Sequence, residues 1–255
     1  MSSITTQSTY AVKLRKRREV AEGTMAFDFD KPPGFVFKAG QYLEMALIDP
    51  PETDSEGNGR AFSIASAPHE EFLTIATRMR DTAFKRVLGG LPAGSEVKIE
   101  GPFGNLVLHN NAARPAVLLA GGIGITPFRS MVLRAANERL PHRIFLFYSN
   151  RRPEDAAFLK ELQDLERQNP NYRFIGTMTE ADKSRLPWAG ETGFIDQSML
   201  SRTLRGVASP IYYIAGPPAM VAGLVRSALM TVVSLGLRNE SLTVTESVGS
   251  GVVSP

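Results

Sequence analysis

From Ala112 onward the sequence alternates short apolar runs with amphipathic ones, and that alternation is its tightest constraint on fold. PAVLLAG (115–121), RIFLFYS (143–149), YRFIGTM (172–178) and IYYIAG (211–216) read as buried strands, and SLTVTES (241–247) closes the series. Between them PFRSMVLRAANERL (127–140), PEDAAFLKELQDLERQ (153–168) and PPAMVAGLVRSALMTVVSLG (217–236) read as helices, the second with acidic residues in its first turn. Strands that are apolar throughout and regularly followed by helices predict a parallel sheet covered on both faces.

The first 108 or so residues obey a different rhythm. Short alternating runs (TMAFDF, QYLEMALI, RAFSIAS, FLTIATRM, SEVKIEG) are punctuated by KPPG, DPPETDSEGNG, LPAG and GPFG. This spacing predicts a small antiparallel barrel, with one helix near TAFKRVLGG between its last two strands. The expected fold is therefore two-domain, an antiparallel β-barrel followed by an α/β Rossmann-like parallel sheet. The expected boundaries are an irregular or disordered tail over 1–9, a barrel over 10–110 and an α/β unit over 111–255.

Composition excludes several chemistries. There is no cysteine, so disulfides, cysteine-ligated iron–sulfur clusters and thiol catalysis are ruled out. His69, His109 and His142 are scattered without metal-ligand spacing and read as solvated surface residues, so no metal site is expected. No apolar stretch approaches the ~18–20 residues of a membrane span, and MSSITTQSTY lacks the layout of a secretory signal, which makes the expected location cytoplasmic. The net charge of +3 has much of its excess in KLRKRR (13–18). Alternation there reads either as a strand with a solvated basic face or as a docking surface for an acidic protein. Nucleic acid is not the expected partner, since no recognition helix or stacking platform accompanies the cluster.

The turn AGGIGITPF joins the strand ending at Ala120 to a helix starting near Pro127. Gly121, Gly122 and Gly124 let a backbone approach a pyrophosphate, and the helix start offers free N–H groups and a positive dipole end. Thr126 adds a hydroxyl. Glycine-rich turns of this kind also arise for packing alone, and the full G-x-G-x-x-G fingerprint is missing.

Three further motifs stand in register with that turn: RAFS (60–63), GPFG (101–104) and AGPPAM (215–220). Together, in this order, the four resemble the ferredoxin–NADP reductase-like flavoproteins, over about Tyr10 to Glu246. The resemblance implies an NAD(P)H-dependent reductase that passes hydride to FAD and electrons on to an external acceptor. Arg60 would pair with a flavin phosphate. Phe62 takes the place of the usual tyrosine against the isoalloxazine ring, and Ser63 would sit near the flavin N5. Thr77, Arg78 and Thr82 match positions that hold the ribityl and pyrophosphate, and a helix there favours FAD over FMN. Gly121 to Pro127 and AGPPAM (Ala215, Gly216, Pro217, Met220) would hold the dinucleotide, with Ala215 standing where a cysteine is common. Near the end of the chain Thr245 and Glu246 match the family, Glu246 as a group balancing charge or protons at the flavin, while Val248 replaces a flavin-covering aromatic.

For the nicotinamide choice, Arg151 and Arg152, or Lys183 and Arg185, would supply cations to a 2′-phosphate. The Ser-Arg pair of phosphate-selective relatives is Thr177-Met178 here, and Asp155 and Glu180 add negative charge, so NADH is favoured slightly over NADPH. An acidic ferredoxin or flavodoxin, or an oxygenase component, is the expected acceptor. The alternatives are a free flavin or ferric chelate, and an electron-transfer or sensory subunit without turnover of its own.

Overall fold

The computed structural model describes residues 9–234 and 242–244, with the side chains of residues 9–226. Two six-stranded sheets organise them. The first is antiparallel, in the order β4-β3-β6-β1-β2-β5: β1 (Thr9–Ala21), β2 (Thr24–Phe29), β3 (Tyr42–Leu47), β4 (Gly59–Ser63), β5 (Leu73–Arg78) and β6 (Glu96–Phe103). It is a curled half-barrel: β4 and β5 end the order without a ladder between them. Its interior packs Leu14, Phe27, Phe29, Leu43, Ile75 and Ile99, all but excluded from solvent. Along β1 the inward residues alternate with exposed ones, the period-2 pattern of a one-sided sheet. Helix α1 (Ala83–Gly90) closes the open side with Phe84 and Leu88; the Thr82 hydroxyl caps it by accepting from the Lys85 N–H at 3.4 Å.

The second sheet runs β10-β9-β8-β7-β11-β12, every pairing parallel. Its strands are β7 (Ala116–Gly121), β8 (Ile144–Asn150), β9 (Tyr172–Met178), β10 (Glu191–Thr192), β11 (Ile211–Ala215) and β12 (Leu242–Val244). Every residue of β7 and β8 is buried, because helices cover both faces. Helices α2 (Ile125–Asn137), α3 (Leu159–Asp164), α4 (Gln197–Thr203) and α5 (Pro218–Ser234) fill the crossovers. The order reverses between β7 and β11, where Ala120 lies beside Ala215. Such a switch point leaves a crevice at the carboxyl ends of the strands.

One core cluster spans both sheets, joining Ala26, Ala76 and Leu106 of the first half to Leu118, Phe128 and Ala215 of the second. A buried ion network reinforces it. Arg129 on α2 donates to Glu161 on α3 (2.6 and 2.7 Å), to Glu70 (3.0 and 3.1 Å) and to the Ala65 carbonyl (2.8 Å), the last two in the antiparallel half. The Ser130 hydroxyl donates to the Ser66 carbonyl at 2.6 Å.

Two expectations need correction. The helix expected over 153–168 is a 3-10 turn at Pro153–Asp155, then α3 at Leu159–Asp164 and a second 3-10 turn. Phe158 takes a left-handed conformation (φ 59°) and breaks the run, while Asp155 turns inward to two arginines. His142 is buried and His109 half-buried: they meet edge-to-face at the amino end of the second sheet. The His142 Nε2 donates to the His109 carbonyl at 2.8 Å, and the His109 ring bridges the Tyr213 hydroxyl and the Arg114 carbonyl. Burial holds the His109 pKa below the ordinary imidazole value.

The basic stripe of β1 is an exposed strand face, the first of the two readings given to it. Arg15 pairs with Asp30 (2.5 Å), Arg18 with Asp28 (2.5 Å) and Lys13 with Glu96 (3.7 Å), while Arg17 donates to the Gly89 and Leu91 carbonyls. Lys16 and Arg17 are exposed and make no ion pair among the described residues.

Candidate functional site

Two cavities meet at the switch point and share Arg78 and Pro217 in their walls. The first, about 350 Å³, lies between the sheets. From the antiparallel half it takes Arg60, Phe62 and Ser63 of β4 and Thr77 and Arg78 of β5; from the parallel half it takes Gly124, Thr126, Pro127 and Ala215. Five of the seven residues nominated for flavin chemistry thus share one cleft. Arg80, Lys85 and Tyr42, which sequence reasoning missed, complete it. Arg80 was legible in principle, two residues after Arg78 in a run of strand period.

The walls are strongly cationic. Arg60, Arg78, Arg80 and Lys85 converge, and burial together with the neighbouring Arg80 and Arg60 holds the Lys85 pKa below its ordinary value. Such a wall suits a polyanion. The Arg60 guanidinium is already engaged: it pairs with Asp54 (3.1 Å) and Glu56 (2.9 Å), donates to the Gly59 carbonyl at 2.7 Å and stacks over Phe84. Desolvation opposes ionisation of Asp54, but the Glu56 N–H and Arg60 hold its carboxyl below the usual range. Thr82 caps α1 and is not in the cavity wall. Phe62 is 8% exposed, packs its ring against Phe84 at 5.8 Å between centroids and contributes to the cleft wall.

The glycine turn divides its labour. A side chain on Gly124 would meet the Ala215 carbonyl oxygen at 2.4 Å and the Gly216 nitrogen at 2.7 Å; one on Gly121 would meet the Met220 Sδ at 2.0 Å. Both are small because α2 and α5 start against adjacent strand ends. Gly122 has open space but a φ of +51°, which needs glycine for conformation. The Thr126 hydroxyl donates to the Ile123 carbonyl at 3.1 Å. Gly124→Ala is therefore expected to displace the β7–α2 turn and destabilise the protein by about 1–3 kcal/mol, as overpacked sites do. Thermal unfolding checks it; an unchanged midpoint would show that the contact with β11 relaxes freely.

The second cavity, about 680 Å³, lies at the carboxyl ends of β7, β8 and β9. Gly121, Gly122, Asn150, Arg151, Thr179 and Met220 contribute to its wall. Ala215 is wholly buried and lines the first cavity but not the second. Thr245, Glu246 and Val248 lie outside the described residues.

Comparison with known proteins agrees with this geometry. Residues 118–226 match the model of the oxidoreductase NAD-binding domain. The chain is 29% identical over 197 residues to the glycine betaine monooxygenase reductase subunit of Chromohalobacter salexigens, covering 76% of this chain and 52% of that protein. It is 28% identical over 222 residues to ferredoxin–NADP reductase B of Sorangium cellulosum, covering 84% and 88%. The chain spans about half the length of most of the curated relatives it matches. In fold it is similar to a ferredoxin–NADP+ reductase from Neisseria gonorrhoeae solved with FAD and NADP bound, with a TM-score of 0.73, 20% identity, and coverage of 93% of this chain and 98% of that one.

Proposed function

We propose that this chain, which belongs to the ferredoxin–NADP reductase-like flavoproteins, passes hydride from NAD(P)H to FAD and then electrons to an external acceptor. The observation that carries the reading is the meeting of two cavities at Pro217: a cationic cleft against β4 and β5, and a glycine-walled one at the ends of β7 and β8. A flavin in the first and a dinucleotide in the second would bring their reactive rings together at the partition.

The residues present fit that pair. Arg60, Arg78, Arg80 and Lys85 supply charge for the flavin phosphates, and Ser63 offers a small hydroxyl on the cleft wall. Gly121 and Gly122 allow close approach of a pyrophosphate to the turn before α2. When bound, FAD supplies the conversion of a two-electron hydride into electrons released singly. The protein's own contribution is positioning: two rings held in near-attack geometry by walls from different sheets, whose relative placement Arg129 and Ser130 fix. No acid–base pair is needed for hydride transfer, and Ala215 contributes a small side chain to the wall of the first cleft.

The relatives support a reading of the acceptor, since several are reductase components of oxygenase systems. We assign an oxygenase component or its small electron carrier as the partner. FAD-loaded protein is expected to lose its oxidised-flavin absorbance on anaerobic mixing with NADH or NADPH, measured by stopped flow. A flavin that stays oxidised with both would overturn the reading. Rapid turnover on a ferric chelate with no protein acceptor would transfer the acceptor role to a small molecule.

A further inference from the structure

The stretch that joins the two sheets, residues 104–115 between β6 and β7, is fastened toward its far end by two imidazoles. A carbonyl can only accept, so the His109 Nε2 that faces the Arg114 carbonyl at 2.9 Å carries the ring's proton. In the neutral ring Nδ1 is then the acceptor, and the Tyr213 hydroxyl on β11 donates to it at 2.8 Å. The same phenol oxygen accepts the His109 main-chain N–H at 2.9 Å, and the two rings lie nearly parallel, 6.1 Å between centroids. Burial raises the Tyr213 pKa above its ordinary value, so the phenol keeps the proton it donates.

His142 completes the cluster. Its Nε2 donates to the His109 carbonyl at 2.8 Å, while its Nδ1 is buried with no hydrogen-bond partner, so the ring's one hydrogen bond is to the joining stretch. The two imidazoles meet edge-to-face at 5.1 Å. The permanent charges around them are cations. Arg114 reaches back to the Ser209 and Pro210 carbonyls, and Arg143, next to His142, stacks over the Phe145 ring. Among the described residues no carboxylate bonds to either imidazole. Burial, and then His142 and Arg114, hold the His109 pKa below the ordinary imidazole value, against the pull of the Arg114 and Asn111 main chain.

We propose that this cluster is a pH-operated clasp: the neutral His109 ring fastens the 104–115 stretch to β11, and protonation of that ring opens it. A proton on Nδ1 would aim two donors, the ring and the main-chain N–H, at one phenol oxygen. The phenol's own proton would then lack an acceptor at a side chain only 2% exposed. The new charge would also stand near Arg114 with no carboxylate to meet it. A released ring takes up protons at the ordinary value of about 6.5 and a clasped ring only below it, so the clasp is complete at neutral pH and loosens as pH falls below about 6.5. The flavin cleft feels this because the same stretch begins in its wall. Gly104, Asn105 and Leu106 line the cleft, and Leu106 precedes His109 by three residues. That consequence rests on the flavin reading of the cleft; the clasp itself does not.

Hydrogen exchange of the FAD-loaded full chain, corrected for the intrinsic effect of pH, tests this. From about pH 7.5 to about pH 5.5, protection of the amides over 107–114 is expected to fall about tenfold, the factor by which an ordinary imidazole gains protons at the lower pH. Protection in β7 and β8 should stay within about twofold. His109→Asn keeps an acceptor for the Tyr213 hydroxyl, takes up no proton, and should remove the pH dependence. Tyr213→Phe should raise the His109 pKa toward the ordinary value, read from the ring resonances by NMR. Equal protection at both pH values overturns the proposal, as does a pH dependence that persists in His109→Asn. If His109→Asn fails to fold, an unshifted His109 titration in Tyr213→Phe overturns it. FAD should leave the parent about two- to threefold faster at the lower pH, and the His109→Asn protein at one rate throughout. The window ends above the usual carboxylate range, so Asp54, held below that range, keeps its charge beside Arg60. An unchanged FAD rate with falling protection overturns the link to the cleft. A chain that binds no FAD overturns the flavin reading, and exchange alone then decides the clasp.

Discussion

Replacing Arg129 with methionine is expected to lower the unfolding free energy by about 3 kcal/mol, the low end of what breaking a buried ion pair costs. The guanidinium is 4% exposed and makes five hydrogen bonds, so its removal strands two carboxylates and the Ala65 carbonyl. Glu70 and Glu161 are 30% and 39% exposed, and the water they already meet keeps the cost from rising further. The cation also lies over the Phe158 ring at 4.8 Å, packing that methionine keeps without the charge. Glu70→Gln should cost about 1 kcal/mol, because Glu161 continues to neutralise the arginine. Urea unfolding followed by circular dichroism compares the two. A methionine variant within about 1 kcal/mol of the parent would mean that the sheets are held together by their shared apolar cluster alone.

The parts of the fold that could be read in advance are those where periodicity dominates. The strands β7, β8, β9 and β11 are apolar at every or nearly every position, a pattern only a sheet covered on both faces can satisfy. The glycine turn and AGPPAM stood out in the sequence, and the structure places both at the switch point, where close packing of two strand ends demands small residues. What failed depended on partners distant in sequence. PEDAAFLKELQDLERQ has helical spacing, but Asp155 gains two guanidinium partners by leaving the helix, and Glu154 bonds the N–H of Arg185, thirty-one residues on. The short elements β10 and α4 lack any periodic signal; α4 is set by Asp196, whose carboxylate caps it through the Met199 N–H at 2.7 Å. His109 and His142 look like surface residues in sequence because only the closed sheet brings Tyr213 beneath them.

The candidate site shows the same division. Residue types were legible, and their present partners were not. Arg60 carries the right chemistry for a phosphate, yet nothing local in RAFS announces that the loop PETDSEGNG folds back to meet it. Likewise the stripe of β1 is basic by count, while its neutralisation by Asp28, Asp30 and Glu96 depends on strand register.

That loop leads to the second large effect: flavin affinity is expected to move in opposite directions when the two sides of the Arg60 cluster are changed. Arg60→Ala removes a charged hydrogen-bond donor worth about 1.5–3 kcal/mol, so FAD should bind roughly ten- to a hundredfold more weakly. Asp54→Asn combined with Glu56→Gln should tighten FAD by about tenfold. A phosphate that takes Arg60 must displace both carboxylates, and each exposed pair is worth up to about 1 kcal/mol. The loop has a further anchor, Glu52 to Arg86 on α1 at 2.5 Å, which keeps it folded when the inner pairs are lost. Because Asp54 is held below the usual carboxylate range, its competition persists at neutral pH and weakens only in acid, as protonation frees Arg60. Fluorescence titration of the flavin-free protein, repeated across pH, measures both variants. Unchanged affinity in the Asp54→Asn, Glu56→Gln protein would mean that the loop leaves Arg60 without cost, and that its carboxylates do not compete for the phosphate.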